Sequence, residues 1–259
     1  MPENINKELF SFANTLADVS GGILRHGFNS VHNVRRKYDL SPVTQMDIDI
    51  ETRVRSMIEE KFPEHGIIGE ELGRVRENAE YQWVIDPIDG TKSFIAGYPI
   101  FTTLISLLHN GVPILGIINQ PILHERWAAI SGQATLYNNS PLNILNNSRK
   151  LAQATIATTS IEYFSTEQAD KFAKLRLSAA NSILGGDGYA YAMLTKLKLD
   201  MVLDVAMKLY DFCALVPIIE GVGGVISDWS GNPLTASSSG DIIASASKNL
   251  HSEAIQFFA

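Results

Sequence analysis

Two aspartates, three residues apart, end an apolar run in the segment Trp83–Phe94. The bulky residues 83–85 predict a short buried strand. Charged carboxylates remain in a protein core only when they are paired or bound to a metal, so Asp86 and Asp89 are expected at the end of that strand, facing a cleft.

The residues that follow add groups that suit phosphate. Gly90 permits the tight backbone conformations that bring a chain close to a ligand. A helix beginning at Thr91 would present the free N–H groups of its first turn to the same space, where they suit an anion. Carboxylates for Mg²⁺ beside amides for phosphate indicate phosphoryl transfer. An Asp-Pro turn followed by a helix-capping aspartate is the alternative for this motif taken alone.

Two further acidic clusters extend the pattern. Glu70 and Glu71 follow the apolar pair 67–68, so a second strand is predicted to end in carboxylates. Asp211 precedes apolar residues at helical spacing and is expected near a helix N-terminus, where a purely structural aspartate is also common. Taken together, the three clusters would supply an oxygen-rich site from distant parts of the chain.

The ordered motifs resemble those of the inositol monophosphatase family of Mg²⁺-dependent, lithium-sensitive phosphatases over most of the chain. They are G-E-E at 69–71, D-P-I-D-G-T at 86–91, Y-D-x-x-A at 210–214 and E-G-x-G-G at 220–224, with S-P-V-T-x-x-D at 41–47 as an early element. The G-G-D-x-Y-A-Y pattern at 185–191, the 86–94 segment with its Lys92 and the 211–234 segment are more similar to the histidinol-phosphate phosphatase branch. Gly188 and Leu209 depart from the usual residues of that branch, on the substrate side.

The resemblance implies metal and catalytic roles at matching positions. It implies that Glu70, Asp86 and the Ile88 carbonyl hold one Mg²⁺, and that Asp86, Asp89 and Asp211 hold a second. A third, weaker Mg²⁺ beside Glu70 is also expected. Asp47 and Thr91 would orient and activate the attacking water, with Glu70 assisting through the third ion. For Asp47 a helix cap is the open alternative, and the same alternative applies to Thr91.

The implied substrate contacts involve eight residues. Asp204 occupies the family's position for a contact to the non-phosphate part of the substrate, either an ammonium or polyol hydroxyls. Asp187 suits the same task, or alternatively caps a helix. The full set is Asp89, Gly90, Thr91, Gly185, Gly186, Asp187, Asp204 and Asp211.

The predicted function is a Mg²⁺-dependent phosphomonoesterase acting on histidinol phosphate, in histidine biosynthesis. Inositol 1-phosphate is the nearest alternative substrate, followed by fructose 1,6-bisphosphate and nucleotide 3′-phosphates. A metal-binding regulatory protein without catalysis is the non-enzyme alternative. It is disfavoured because the metal acids and Thr91 are all present.

Composition agrees with a globular enzyme. The 259 residues are 45% hydrophobic and carry a formal net charge of −7, and the only basic run is the short Arg35–Lys37, so a nucleic-acid partner is not expected. This run is expected to be a solvated surface stretch, with Lys37 near the predicted site. The single cysteine, Cys213, is predicted in the core and fits a cytoplasmic location. The six scattered histidines are expected at the surface or behind the ligands rather than on metal. No membrane segment is predicted, and the resemblance implies a homodimer.

Two parts are predicted to position these residues. Residues 1–147 form an α+β part, with helices near 4–25 and 47–62 and antiparallel strands at 101–108, 113–119 and 126–130, the first two joined by a turn at 110–111. Residues 148–259 alternate strands and helices as an α/β part, with a boundary near 146–151 and one helix over 211–221. The resemblance implies a layered α-β-α-β-α sandwich with the active site between the parts.

Overall fold

The computed structural model describes residues 3–30, 34–38, 41–144 and 148–258, with side chains from residue 7 onward. The helices are α1 Glu3–Gly27, α2 Gln45–Lys61, α3 Thr91–Ile95, α4 Thr166–Ser178, α5 Asp187–Leu194, α6 Leu209–Phe212, α7 Leu215–Gly221 and α8 Lys248–Ile255. The strands are β1 Val34–Arg36, β2 Pro42–Thr44, β3 Gly66–Gly69, β4 Gly73–Val75, β5 Tyr81–Asp89, β6 Thr102–His109, β7 Val112–Gln120, β8 Glu125–Ile130, β9 Leu136–Tyr137, β10 Ser140–Pro141, β11 Thr155–Thr158, β12 Asn181–Leu184, β13 Met201–Asp204, β14 Val225–Asp228 and β15 Ile242–Ser245.

The larger sheet has eight strands in the order β10-β9-β8-β7-β6-β5-β3-β4. All its neighbours are antiparallel except β3 and β5, which are parallel. The turn between β6 and β7 has both Asn110 and Gly111 in the left-handed region, at φ 50° and 78°. This conformation matches the twist of a two-residue hairpin and explains the Asn-Gly pair.

The smaller sheet has five strands in the order β12-β11-β13-β15-β14. Strand β11 lies parallel to both β12 and β13, whereas β15 is antiparallel to β13 and β14. Parallel strands need crossover connections, which α4 and α5 provide. The alternation of strands and helices that the sequence predicts for this part is therefore seen in the structure.

Three apolar clusters correspond to the interfaces between layers. The first joins α1 and α2 to one face of the large sheet, for example through Trp83 and Ile85. The second uses the opposite face, including Val84, and packs it through α5 and α7 against the small sheet. The third places α4 and α8 on the outer face of the small sheet. The predicted α-β-α-β-α sandwich is confirmed.

The long amphipathic helices were predicted to within about three residues, but the single helix over 211–221 was wrong. The chain instead forms α6 and α7, which are separated at residues 213–214. Pro217 has no N–H to donate to the carbonyl of Cys213, so the helical hydrogen-bond ladder cannot run through this point. Cys213 itself is buried, as predicted.

The strand β12 was not predicted, because it carries little of the expected pattern. All four of its residues are exposed at the edge of the small sheet. The short strands β1, β2, β4, β9 and β10 were also missed, and each has only two or three residues. Such strands offer too few positions for an alternating pattern to emerge.

The two sheets lie on either side of the predicted boundary, part of which falls outside the described residues. The central cluster combines residues of both sequence parts, such as Leu104 and Leu215. The division into 1–147 and 148–259 therefore stays a prediction about sequence organisation. Within the described chain, no helix is long and apolar enough to cross a membrane.

Candidate active site

A cleft of about 420 Å³ opens between the two sheets, a volume suited to a small molecule. It is lined by the ends of β5 and β13, the beginning of α3, the turn before α5, and α6. The predicted residues that line it are Glu70, Asp86, Ile88, Asp89, Gly90, Thr91, Gly185, Asp187, Asp204 and Asp211. Fold and topology therefore bring together residues that are up to 141 positions apart in the sequence.

Asp86 and Asp89 reach the same cleft because β5 is irregular between them. On a regular strand, residues three apart point to opposite faces. The pairing of β5 with β6 shifts register between Asp86 and Asp89, which restores both carboxylates to one side. Pro87 lies inside this irregularity, where its missing N–H costs no ladder hydrogen bond, and its carbonyl accepts a hydrogen bond from the Thr103 hydroxyl at 2.9 Å.

Asp211 completes a set of three carboxylates. Oxygen atoms of Asp86, Asp89 and Asp211 all lie within 4.8 Å of one another. Asp211 lies in the first turn of α6, where its Oδ2 accepts a hydrogen bond from the Lys208 N–H at 2.6 Å. Asp211 therefore also caps the N-terminus of α6, as its structural alternative predicted. This hydrogen bond uses only one of its two carboxylate oxygens.

The electrostatics of this set are unfavourable without a cation. Burial, followed by the nearby charges of Glu70, Asp89 and Asp211, raises the pKa of Asp86 well above its usual range. Burial also raises the pKa of Asp211 to about 7. Asp86 Oδ1 is buried and accepts no hydrogen bond among the described residues. Buried carboxylates that lack partners are expected where a metal ion binds.

The loop that carries Glu70 is held in place by the buried carboxylate of Glu51. Glu51 Oε2 accepts a hydrogen bond from the Glu71 N–H at 2.7 Å, and Oε1 accepts one from the Leu72 N–H at 3.0 Å. Arg55 donates to the same Glu51 from one helical turn further along α2, at 2.7 Å. The loop is therefore held by its backbone, which leaves the Glu70 side chain free to face the cleft.

Lys37 is a site neighbour whose role the sequence left open. Its Nζ lies 2.6 Å from Glu70 Oε1 and 2.5 Å from Glu71 Oε1. Burial disfavours its charge, but the two carboxylates more than offset this and raise the pKa of Lys37 above its usual value. The prediction of a solvated basic stretch holds for the exposed Arg35 and Arg36 and is wrong for Lys37. The ion pair joins residues 33 positions apart, which no local pattern reveals.

Asp47 and Thr91 are not hydrogen-bonded to each other in the described structure. The Asp47 Oδ2 atom accepts from the N–H and hydroxyl of Thr44, at 2.7 and 2.6 Å, as part of a capping box. The Thr91 hydroxyl donates to the Ile88 carbonyl at 2.9 Å. Asp47 Oδ1 is buried without a hydrogen-bond partner among the described residues, and burial raises the pKa of Asp47 to about 6. Asp47 therefore takes part in capping α2. The roles of Asp47 and Thr91 in activating water stay predictions.

The glycine-rich turn before α5 connects to the metal-ligand set. Gly185, Gly186 and Asp187 all have positive φ, at 90°, 110° and 43°. The following N–H, from Gly188, donates to Asp89 Oδ2 at 2.5 Å. Gly186 is the N-cap residue of α5 and does not line the cleft in the described structure, unlike Gly185 and Asp187.

Asp204 lies at the end of β13 with its carboxylate fully engaged. Its Oδ1 accepts from the Thr158 hydroxyl at 3.0 Å and the Thr159 N–H at 2.6 Å, and its Oδ2 accepts from the Tyr191 hydroxyl at 2.9 Å. The residue is only 5% exposed. Tyr191, on α5, Thr158, at the end of β11, and Thr159, directly after it, were not predicted as site residues. Their contacts depend on how the strands and helices pack.

Further residues line the cleft that were not predicted as site residues, although Ser41, Pro42, Lys92, Gly188 and Tyr210 lie in or beside the sequence motifs. They are Ser41, Pro42, Lys92, Ser93, Thr159, Ser160, Tyr163, Gly188, Val205, Ala206, Met207, Lys208 and Tyr210. Lys92 donates to the Tyr163 hydroxyl at 3.3 Å, and its Nζ lies 5.5 Å from the centre of that ring. These two exposed side chains form part of the outer wall.

The donor set fits a hard divalent cation. Mg²⁺ prefers carboxylate and carbonyl oxygens, and Asp86, Asp89, Asp211 and the Ile88 carbonyl offer only oxygen. The uncompensated Asp86 Oδ1 and the raised carboxyl pKa values are the features that a bound cation would correct. A layered sandwich with such a cleft defines a class of metal-dependent phosphatases.

Comparison with known proteins identifies the family. The sequence model of the inositol monophosphatase family matches residues 5–258, and the chain belongs to that family. The bifunctional phosphatase IMPL2, chloroplastic, of Arabidopsis thaliana is 43% identical over 261 aligned residues, covering 96% of this chain and 75% of the relative. The histidinol-phosphatase of Chlorobaculum parvum is 34% identical over 199 residues, or 75% of each protein.

A solved structure agrees with this assignment. An inositol monophosphatase from Zymomonas mobilis matches with a TM-score of 0.89 and 40% identity, covering 97% of both chains. The chain is accordingly a phosphatase that hydrolyses phosphoric monoesters, as the resemblance implied.

Proposed function

We propose that this phosphatase hydrolyses histidinol phosphate with the help of two to three Mg²⁺ ions, within histidine biosynthesis. The observation that carries the proposal is the surplus of carboxylates in the cleft. Asp187 and Asp204 line it beyond the acids assigned to metal. A substrate that brings its own positive charge would offset this surplus, whereas a neutral polyol phosphate would not.

The chain supplies the parts of a metal-assisted phosphatase. Glu70, Asp86 and the Ile88 carbonyl would hold one ion, and Asp86, Asp89 and Asp211 a second. A third ion would lie beside Glu70. Bound Mg²⁺ would neutralise the phosphoryl oxygens and promote ionisation of a water molecule.

The neighbouring residues would position the phosphate and the attacking water. Gly90 and Thr91 would place backbone N–H groups near the phosphate. The Thr91 hydroxyl, now donating to Ile88, would turn toward the water, and Asp47 would receive its proton through that hydroxyl. The free Asp47 Oδ1 and the raised pKa of this carboxyl support the role of a proton acceptor.

The names of relatives support the choice of substrate. Three histidinol-phosphatases, from Chlorobaculum parvum, Mycobacterium tuberculosis and Streptomyces coelicolor, are 34%, 29% and 28% identical to this chain. Inositol 1-phosphate is the second candidate, because the matched Zymomonas mobilis structure is an inositol monophosphatase. Bisphosphates are less favoured, because only Lys92 and Lys208 contribute ammonium groups to the described lining.

A phosphate-release panel tests the proposal. Histidinol phosphate, inositol 1-phosphate, fructose 1,6-bisphosphate and adenosine 3′,5′-bisphosphate are compared at fixed Mg²⁺. We expect the highest kcat/KM for histidinol phosphate and loss of turnover on adding EDTA. A higher kcat/KM for any other compound would contradict the substrate assignment while leaving the reaction class intact.

The Asp86→Asn variant tests the metal assignment in the same assay. Removing the carboxylate that would bridge two ions is expected to lower Mg²⁺-dependent kcat by at least about 100-fold, by analogy with the cost of disturbing metal sites. Asp18→Asn, on the exposed side of α1, is the matched control and is expected to retain activity. Full turnover by Asp86→Asn would remove Asp86 from the metal site.

Lithium inhibition, a homodimer and a cytoplasmic location complete the proposal. The family resemblance supports lithium inhibition, which an inhibition curve at fixed Mg²⁺ would measure. Exposed Ile183 and Leu184 on the edge strand β12 support self-association, which sedimentation equilibrium would detect as twice the 28.4 kDa chain mass. Fractionation of the source cells would test the location.

A further inference from the structure

Two carboxylates remain in the cleft after the metal ligands are assigned, and their surroundings differ. Asp204 already accepts three hydrogen bonds, from Thr158, Thr159 and Tyr191. These bonds tie β13 to the residues around the end of β11 and to α5. Since both Asp204 oxygens serve these links, a ligand would gain the carboxylate only in competition with them.

Asp187 has the opposite character. In the described structure its carboxylate accepts no hydrogen bond and forms no ion pair, yet it lines the cleft and is partly buried. The nearby Lys92 is directed to Tyr163 instead. Burial and the charge of Asp204 raise the pKa of Asp187 to about 6, while Lys92 opposes this rise. An anion without a partner in such a place is suited to a cation from outside the chain.

Asp187 lies in a turn whose left-handed backbone conformation disfavours residues that have a side chain. It follows two glycines in the left-handed region and has itself a φ of 43°. The next N–H is bonded to Asp89 at 2.5 Å, so the turn is anchored to the metal-ligand set. Left-handed non-glycine residues carry a local cost that the surrounding structure must hold in place.

The Asp187 carboxylate lies directly against Gly90. A Cβ atom placed on Gly90 would be 2.8 Å from Asp187 Oδ2. Gly90 precedes the first residue of α3, where the phosphate is proposed to bind, so this carboxylate is adjacent to the phosphate position. In histidinol phosphate the ammonium is on the second carbon from the ester oxygen, and its partner must therefore lie close to the phosphate.

We infer that Asp187, rather than Asp204, is the residue that recognises the substrate's ammonium group, and that Asp204 is a positioning residue that fastens β13 to β11 and α5. The inference rests on the proposed function and adds to it the residue that determines specificity. Glycine at position 90 suits this arrangement, because its φ of 87° favours glycine and a Cβ there would lie 2.8 Å from Asp187 Oδ2.

The test compares two substrates that differ only in the ammonium: histidinol phosphate and the analogue in which hydrogen replaces the amino group. The Asp187→Asn variant keeps the shape, and asparagine tolerates a positive φ at least as well as aspartate. We expect KM for histidinol phosphate to rise at least about tenfold, as for the loss of a hydrogen bond to a charged group, with kcat changed less than about threefold. KM for the analogue should stay constant or fall, because a negative charge beside the phosphate is removed.

Asp204→Asn is the matched comparison. It is expected to shift KM for both substrates by the same factor and to lower the melting temperature, because it disturbs three hydrogen bonds of a buried residue. Asp187→Gly, which relieves the left-handed backbone, provides a second variant and should reproduce the selective rise in KM.

The outcomes separate the inference from the proposed function. An equal KM shift for both substrates in the Asp187 variants, or an ammonium-selective shift in Asp204→Asn alone, overturns the assignment of Asp187. Wild-type enzyme that hydrolyses both substrates with equal KM overturns ammonium recognition but leaves the phosphatase reaction standing. Wild-type enzyme that releases no phosphate from either compound overturns the proposed function itself.

Discussion

At the scale of single residues, the buried carboxylate of Glu51 leaves no room for a side chain at Gly69. A Cβ atom there would overlap the Glu51 carboxylate and lie 2.8 Å from Arg55 Nη2. Both partners are fixed by hydrogen bonds to the loop that carries Glu70. The glycine of the G-E-E motif thus serves to let this carboxylate approach the backbone.

Gly69→Ala is therefore expected to destabilise the protein by about 2 kcal/mol, as overpacking of a buried site commonly does. Because Glu70 moves with the loop, the variant should also require more Mg²⁺ for half-maximal activity. Urea unfolding and a Mg²⁺ titration measure the two effects. Gly22→Ala in α1 is the control, since a Cβ there meets nothing within 4 Å, and it should stabilise the chain by about 0.5 to 1 kcal/mol. Equal effects of the two substitutions would contradict the account of Gly69.

The candidate site was predictable where its residues form motifs. Glu70, Asp86, Asp89 and Asp211 stand at the ends of apolar segments, and a buried carboxylate needs a partner, so their convergence follows from sequence and solvation. Which carboxylate oxygens already accept hydrogen bonds within the protein was not predictable. Asp204 and Asp187 look equivalent in the sequence. Only the packing of β11, β13 and α5 shows that the Asp204 carboxylate is engaged, whereas the Asp187 carboxylate accepts no hydrogen bond within the described part of the chain.

At the scale of secondary-structure elements, the sequence predicted the helices and strands that local interactions stabilise. Helices α1 and α2 have apolar residues at helical spacing, and α2 adds a capping box at Thr44. The β6–β7 hairpin has its Asn-Gly turn. By contrast β12 is exposed and held by its pairing with β11, so its strand conformation comes from the neighbour and not from its own residues.

The attachment of α8 to the small sheet depends on a buried histidine, His251. Its Nε2 lies 2.9 Å from the Ser227 hydroxyl on β14, and its Nδ1 lies 3.2 Å from the Ser245 hydroxyl on β15. Ser227 donates its proton to the Asp228 carbonyl at 2.6 Å, so it accepts from Nε2, and Nδ1 accepts from Ser245. The ring is neutral in this arrangement, and burial lowers its pKa to about 4. The expectation that the histidines lie at the surface or behind the ligands is wrong for His251, which is 5% exposed and packs against the small sheet, and His32 lies outside the described residues.

Acid should weaken this attachment. Below pH 6.5 the unfolded chain binds a proton at His251 that the folded chain does not bind until about pH 4, so the contribution of this residue to stability is lost as pH falls through that window. At pH 5 the loss is about 2 kcal/mol relative to pH 7.5. His251→Gln can keep both serine contacts and cannot titrate. Urea unfolding at the two pH values should show a smaller change for this variant than for wild type, with exposed His26→Gln as the control. An identical pH dependence in all three proteins would refute the assignment.

At the scale of the whole molecule, the cleft is assembled from charges that repel one another. Asp86 and Asp89 come from the large sheet, Asp187 and Asp211 from helices of the central layer, and their carboxylates meet only when the layers pack. Folding of the metal-free chain therefore works against these charges. Protons or metal ions are the two ways to reduce the cost, and they compete for the same oxygens.

This competition predicts the pH dependence of the metal-free protein. The folded-state pKa is raised from 3.8 to about 7 for Asp211 and to about 6 for Asp47 and Asp187. A carboxyl with a raised folded pKa binds protons in the folded chain first, so stability increases as pH falls from 7 toward 4. His251 acts in the opposite direction over part of this range, and the measurement is therefore made in the His251→Gln background.

Melting temperatures with EDTA and with saturating Mg²⁺ at pH 8 and pH 5.5 complete the test. With EDTA, the protein should melt at a higher temperature at pH 5.5 than at pH 8. Mg²⁺ at 100 times its dissociation constant should add about 2.7 kcal/mol at pH 8 and much less at pH 5.5, because protons then occupy the ligands. Asp211→Asn should reduce both the pH effect and the Mg²⁺ effect, since Asp211 contributes to both. If Mg²⁺ left the melting temperature at pH 8 unchanged, the acidic cleft would not be a metal site, and its carboxylates would need a different partner.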